Sequence, residues 1–197
     1  MFTGIIQGLG TLFEKRPAGG GMIFGLEADF ALTDPEEGES IAVNGACLTA
    51  TRLDGNAFAA DVSRETLTLT TLGSATPGTA VNIEKALQAG QALGGHYVTG
   101  HVDGMGIVVS RHDDARSVRV EFEVPDELAR YVARKGSICV DGVSLTVNGV
   151  NGRRFDVNLV PHTLELTTLA ACGPGTRVNL EVDIIARYLE RMLEVGR

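Results

Sequence analysis

The sequence predicts an all-β fold in which two similar small antiparallel barrels are followed by one C-terminal helix. Three observations carry this expectation. The chain repeats itself in order at a shift of about 97 residues. Each copy is a series of short β-prone runs separated by turn residues. A long helical period occurs only at the end of the chain.

The repeat is read directly. A shift of 97 carries Val43-Asn44-Gly45 onto Val140-Asp141-Gly142, Leu48-Thr49 onto Leu145-Thr146, Thr66-Leu67 onto Thr163-Leu164, and Thr70-Thr71-Leu72 onto Thr167-Thr168-Leu169. It also carries PGTAVNIE (Pro77 to Glu84) onto PGTRVNLE (Pro174 to Glu181). Nearer the start the shift is 96, where FTGIIQGLGTL from Phe2 matches VTGHVDGMGIV from Val98; around Asp61-Val62 it is 95. Small slips of this kind are what insertions in surface loops produce. A duplicated unit of roughly 90 residues is a normal domain size. The expected organisation is a first barrel over 1–96, a second over 97–184 and a helix over 185–197.

The 25 glycines and the 5% aromatic content without tryptophan suit short strands joined by tight turns. Asp54-Gly55 and Asn151-Gly152 fall at the same place in the two copies, and predict a type I′ hairpin turn with positive φ at both central residues. Pro125 to Arg134 predicts a short helix, with proline first, acids in the first turn and arginines later; its counterpart lies near Phe30 to Glu37. In Ile184 to Val195 the apolar residues Ile185, Tyr188, Leu189, Met192 and Leu193 follow one helix face. That face either caps the second barrel or packs against copies of itself.

Composition narrows the function. Of 197 residues 44% are hydrophobic and 21% charged, ordinary for a globular protein. No apolar run reaches the length of a membrane span, and MFTGIIQGLG is not a secretory leader, so the expected location is cytoplasmic. A formal net charge of −8 leaves no basic footprint for nucleic acid. Three cysteines (Cys47, Cys139, Cys172) without C-x-x-C spacing form neither a disulfide framework nor a zinc site.

The copies differ where chemistry is possible. Cys47 aligns with Ser144, Ile5 with His101, Gly38 with Lys135 and Ala86 with Asp183. Taken singly, each has a structural reading: Cys47 as core packing, Ser144 and Thr146 as a barrel rim, Lys135 as a solvated charge at a helix end, Asp183 as a surface carboxylate or helix N-cap. GGHYVTGHVDG (Gly94 to Gly104) concentrates two of the four histidines among glycines that let backbone approach a ligand. His96 and His101 are five apart and would face opposite sides of one strand, which argues against a two-histidine metal site. General base, hydrogen-bond donor and loop histidine remain.

Together, MFTGIIQGLG, VNGACLT, GGHYVTGHVDG, KGSICVDGVSLTV and LVPHTLELTTL resemble the α-chain type of riboflavin synthase over nearly the whole chain. The resemblance implies two six-stranded antiparallel Greek-key barrels and a C-terminal helix that holds a homotrimer. It implies a dismutation of two molecules of 6,7-dimethyl-8-ribityllumazine, in which a four-carbon unit passes from one to the other, giving riboflavin and 5-amino-6-ribitylaminouracil without cofactor or metal. Some members associate with a lumazine synthase shell. Carried over by position, the catalytic set comprises His101, Cys47, Ser144, Ser40, His96, Lys135, Asp183 and Phe2. The substrate-contacting set comprises Gly4, Ile5, Ile6, Thr49, Ser63, Glu65, Thr66 and Val102, with Thr146, Asn158, Val160 and Thr163 in the second copy. His101 is the favoured base, and Ser144 or water the nucleophile. Val43 and Ala46 depart from the family's pattern at packing positions only. Two other readings stand beside it. The non-catalytic lumazine-binding fluorescent proteins of luminous bacteria share the duplicated barrel; VDGVSLTV, His101, Cys47 and Lys135 favour the enzyme. A β-barrel nucleic-acid module is disfavoured by the acidic charge and the lack of interleaved aromatic and basic residues.

Overall fold

The computed structural model describes residues 1–32 and 36–195. The first copy forms β1 (Gly8–Ala18), β2 (Gly21–Ala28), β3 (Ser40–Val43), β4 (Ala46–Asp54), β5 (Ala57–Val62), helix α1 (Arg64–Leu69) and β6 (Ala80–Lys85). These strands pair antiparallel in the order β1-β2-β5-β4-β3-β6 and close into a barrel as β6 returns to β1. The second copy forms β7 (Gly104–Asp114), β8 (Ser117–Glu123), α2 (Asp126–Ala129), β9 (Ser137–Val140), β10 (Val143–Thr146), β11 (Gly149–Asn151), β12 (Arg154–Leu159), α3 (Pro161–Leu166) and β13 (Arg177–Val182). Helix α4 (Ile184–Val195) follows.

The second sheet runs β10-β9-β13-β7-β8-β12-β11, the same cyclic order as the first. It has seven strands because the counterpart of β4 is divided. In β4 the pairing with β5 slips at a bulge between Ala50 and Arg52. Both copies turn an amide aside at this place, Ala50 to the Glu39 carbonyl and Val147 to the Gly136 carbonyl; in the second the Asn148 amide also bonds the Asp156 carbonyl, and the strand stops after β10 and resumes at β11.

Alternation decides which side chains fill each barrel. Along β8, Val118, Val120 and Phe122 point inward between Arg119, Glu121 and Glu123. Phe122 stacks on Phe155 with ring centroids 5.3 Å apart. Phe24, Leu26, Ile41, Phe58 and Ile83 fill the first barrel in the same way. Burying one such side chain stabilises the fold by about 1.5–3 kcal/mol.

Three local expectations are corrected. The turns after β4 and β11 are centred on Gly55-Asn56 and Gly152-Arg153, one residue later than expected; only the glycine takes positive φ, at 60° and 59°. Positive φ at both centres occurs at Gly19-Gly20 (52°, 91°) and, inside the repeated motif itself, at Asn44-Gly45 (45°, 78°) and Asp141-Gly142 (45°, 84°). The helix expected over Pro125 to Arg134 is α-helical only at Asp126–Ala129. Beyond it, i to i+3 bonds from Tyr131 to Leu128, Val132 to Ala129 and Gly136 to Ala133 tighten the chain so that it reaches β9. Of its counterpart near Phe30 to Glu37, residues 33–35 lie outside the described residues.

The barrels meet about a pseudo-two-fold axis. A Cβ on Gly45 would lie 2.7 Å from the Gly142 nitrogen, and one on Gly142 would lie 2.8 Å from the Gly45 nitrogen. No other residue fits where two backbones touch.

Candidate active site

Two extended arms, Phe2 to Ile6 and Val98 to Val102, build the site. Phe2 and Val98 form an isolated antiparallel bridge, with the Phe2 amide donating to the Val98 carbonyl at 2.8 Å and the reverse bond at 3.2 Å. The arms then cross to opposite barrels. The Gly4 carbonyl accepts the Ser144 amide at 2.7 Å, and Ile6 is buried in the second core. The Gly100 carbonyl accepts the Cys47 amide at 2.9 Å, and Val102 packs on the first core. Each arm serves the other copy's strand.

Each arm is held by a buried glutamate at the end of a barrel strand. Glu84 Oε1 accepts the Thr3 amide and hydroxyl, both at 2.7 Å, and Oε2 accepts the Gly4 amide at 3.0 Å. Glu181 repeats this on Thr99 (2.6 and 2.8 Å) and Gly100 (2.9 Å). Burial pushes the Glu84 carboxyl above its usual range, against the pull of these donors. Both residues lay in plain view as the final letter of PGTAVNIE and PGTRVNLE. A carboxylate closing an apolar strand in both copies is the signal that marks them.

On the first barrel the crossing arm encloses a cleft of about 290 Å³, lined by Ala46, Cys47, Glu65, Thr66, Leu69, Thr70 and Gly100 to Val102. It brings together five of the expected residues: Cys47, Glu65, Thr66, His101 and Val102. Helix α1 reaches the cleft because Ser63 caps it, accepting the Thr66 amide at 3.1 Å. Lys15 then secures the turn that follows, donating to the carbonyls of Leu72, Gly73 and Ala75. A second hollow of about 370 Å³ adjoins through Leu69, His101 and Val102, and reaches Thr99, Asp103, Ile184 and Arg187. Arg187 of α4 pairs there with Asp103.

On the second barrel Ser144 is covered differently. His96 Nδ1 lies 2.7 Å from Ser144 Oγ, and the His96 amide donates to the Thr3 carbonyl. His96 is only 7% exposed, and its Nε2 is buried without a hydrogen-bond partner. Desolvation lowers its pKa, opposed by the charges of Asp183 and Glu181, so the ring is neutral near pH 7. A neutral imidazole with a free Nδ1 lone pair can accept the serine proton.

The other expected residues fall outside these two clusters. Ser40 and Thr49 pair across β3 and β4, as Ser137 and Thr146 do across β9 and β10. Phe2 is fully buried between the barrels with Ala42, Val98 and Cys139, against Cys47. Ile5 is exposed. Lys135 is exposed and left-handed (φ 66°), its amide donating to the Val147 carbonyl; Gly38 holds the same turn at φ 90° in the first copy. Asp183 accepts the Ile185 amide at 3.0 Å at the start of α4. Val160 precedes α3, and Thr163 lies within it. Asn158 is engaged by Arg119 and Asp114 on the hairpin of β7 and β8. Burial pushes the Cys139 thiol well up and the Cys172 thiol to about 11, which leaves Cys47 as the half-buried thiol beside a cleft.

Residues 3–86 and 99–183 each match the lumazine binding domain family. The chain is 42% identical to riboflavin synthase of Photobacterium phosphoreum, over 100% of this chain and 91% of that one. It is 45% identical to riboflavin synthase of Mycobacterium tuberculosis (strain ATCC 25618 / H37Rv), over 98% of each. The chain belongs to the riboflavin synthase family. Among solved structures it is similar to LumP complexed with riboflavin, with a TM-score of 0.82 and 27% identity over 92% of this chain and 99% of that one. No helix among the described residues is long and apolar enough to cross a membrane. Beside the residues that the family resemblance supplied, Leu69 and Thr70 line the first cleft, and the two glutamates hold the arms from behind. His162 stands where the first copy has Glu65.

Proposed function

We propose that this chain is a riboflavin synthase that converts two molecules of 6,7-dimethyl-8-ribityllumazine into riboflavin and 5-amino-6-ribitylaminouracil. One observation carries the proposal above the others. Cys47 and Ser144 stand at equivalent positions, each tied by its amide to a crossing arm, yet one faces a cleft with His101 and the other is bonded to His96. One frame used twice with unlike side chains suits one substrate used in two roles.

The chemistry follows from the substrate. The methyl on C7 adjoins an electron-poor C=N, so its proton is acidic, and His101 is the base assigned to it. Ser144, its hydroxyl shared with His96, faces the second molecule as nucleophile or hydrogen-bond donor. Atoms balance between the two molecules: the four carbons one loses are those the other gains. Holding two flat rings in register supplies much of the acceleration by removing the entropic cost of their encounter. A cleft of about 290 Å³ has the size of a site for one small molecule.

The proposal extends to a cytoplasmic homotrimer. Its support is α4, whose Ile185, Tyr188, Leu189, Met192 and Leu193 are all more than half exposed in the single chain. The helix is held to its own barrel by polar contacts, Arg187 to Asp103 and Glu190 to Arg130 and Tyr131. An apolar stripe of this kind is an interface waiting for a partner.

The test is incubation of the purified protein with 6,7-dimethyl-8-ribityllumazine alone, followed by absorbance against a protein-free control. One riboflavin formed for every two lumazines consumed, over many turnovers, is the expected result. Tight fluorescent binding without riboflavin would replace the enzyme with an antenna-type binding protein.

A further inference from the structure

We propose that Glu181 is the positioning residue of the first-barrel cleft, fixing His101 and the Cys47 main chain in one geometry. This rests on the role given to His101 above.

Glu181 is buried, and its carboxylate gathers three donors from two consecutive residues: the Thr99 amide, the Thr99 hydroxyl and the Gly100 amide. The Thr99 hydroxyl oxygen also accepts the His101 amide at 3.3 Å. On the far side of the same residues, the Gly100 carbonyl accepts the Cys47 amide at 2.9 Å. One carboxylate is therefore joined through single residues to the main-chain amides of both candidate reactive residues. Gly100 permits this at φ 82°, where a Cβ would lie 2.5 Å from the Cys47 Cβ. The arm has no slack on that side.

Glu84 makes the same clamp on Thr3 and Gly4, with the Ile5 amide donating to the Thr3 hydroxyl at 3.1 Å. As structural devices the two clamps are alike. They differ in what they aim: through Thr3 and Gly4, Glu84 sets Ile5 and the main chains of Ser144 and His96, whereas Glu181 sets His101 and the Cys47 main chain. A role in folding alone predicts that the two variants disturb His101 equally; a role in positioning predicts that Glu181→Gln displaces His101 and Glu84→Gln does not.

Glu181→Gln keeps the volume but turns one acceptor into an NH₂ group that must face an amide donor. Expected are a fall in kcat for riboflavin formation of tenfold or more, a KM for the lumazine within threefold of the parent, and a pH profile displaced from that of the parent. Its thermal midpoint should match that of Glu84→Gln. If Glu181→Gln does not fold, Thr99→Val removes the hydroxyl between the carboxylate and His101 at constant volume, with a smaller loss of kcat expected. A folded variant with unchanged kcat and unchanged pH profile overturns the proposal. NMR decides it even if the parent protein forms no riboflavin, a result that would overturn the functional reading alone. In the parent the Thr99 and Gly100 amides should exchange slowly. In the variant they should exchange faster and the His101 ring signals should shift while those of His162 hold; unchanged signals would overturn the proposal.

Discussion

Asn82 and Asn179 reach across the barrel boundary in opposite directions. Asn82 donates to the Asp141 carbonyl and accepts the Thr168 amide, both at 2.8 Å; Asn179 donates to the Asn44 carbonyl at 2.8 Å and accepts the Thr71 amide at 2.7 Å. Both are buried. Asn82→Ala leaves two main-chain groups unpaired, and should cost about 2–4 kcal/mol in urea unfolding. Asn179→Ala should match it, and the double variant should lose less than the sum, because each change loosens the same boundary. Losses below about 0.5 kcal/mol in both would remove these amides from the account.

Gly45→Ala and Gly55→Ala separate contact from backbone strain. Both glycines have positive φ, 78° and 60°. A Cβ on Gly45 meets the Gly142 backbone at 2.7 Å, whereas one on Gly55 meets nothing within 4 Å. Thermal unfolding should show a loss of about 1–2 kcal/mol for Gly55→Ala. The loss for Gly45→Ala should be about twice that or more, since backbone must move.

Asp141 is the buried acid whose counterpart is an amide. Its Oδ1 accepts the Asn179 amide at 2.7 Å, as Asn44 Oδ1 accepts the Asn82 amide at 2.7 Å. Burial raises its pKa from 3.8 to about 7. The folded state therefore binds the proton more tightly than the unfolded one. Its contribution is complete below pH 3.8 and is lost as pH rises through about 7. Asp141→Asn should stabilise the protein at pH 8 by about 2–4 kcal/mol and flatten stability across that window, as urea titrations at several pH values would reveal. Equal stability of parent and variant at pH 8 would mean the carboxylate is solvated.

His96 carries the opposite sign. Its folded pKa lies below the ordinary 6.5, so its contribution is present above pH 6.5 and is lost on acidification toward the folded value. His96→Gln should remove that acid-side loss. Ser144→Cys, which writes the first copy's residue into the second, should lower riboflavin formation by about 10–100-fold with lumazine binding retained. Parent-like turnover would show that the difference between Cys47 and Ser144 carries no function.

The stripe on α4 gives a test of assembly. Leu189 and Met192 are 57% and 73% exposed in the single chain. Leu189→Glu with Met192→Glu should reduce the proposed trimer to one chain by light scattering, leaving the circular dichroism of the barrels unchanged. A trimer that survives would place the interface elsewhere.

Architecture was legible in the sequence because duplication exposes itself: a shared shift survives substitutions that hide any single strand. The short helices α1 and α3 were not legible. Six residues hold too few turns for a helical period; α1 depends on its Ser63 cap, α3 opens on Pro161 without a side-chain cap, and the Lys15 and Arg111 side chains tie down the turns after them. The asymmetries at Cys47, Ser144 and His101 could be seen by alignment. That each arm crosses to the other barrel could not, since a main-chain bond from Gly100 to Cys47 leaves no side-chain signature. The misplaced hairpin turns have the same origin. Asn44-Gly45 and Asp141-Gly142 lie within apolar strings that read as continuous strands, so their flanks hide the turn.

The crossing arms set an order of events during synthesis. As the chain leaves the ribosome, strands β1 to β6 are complete once Lys85 has emerged. The wall of their cleft is not, because Gly100, His101 and Val102 come later and are clamped only when Glu181, near the far end, is in place. A nascent chain can thus form most of its first core long before it closes the pocket, which waits for the last strand of the second copy.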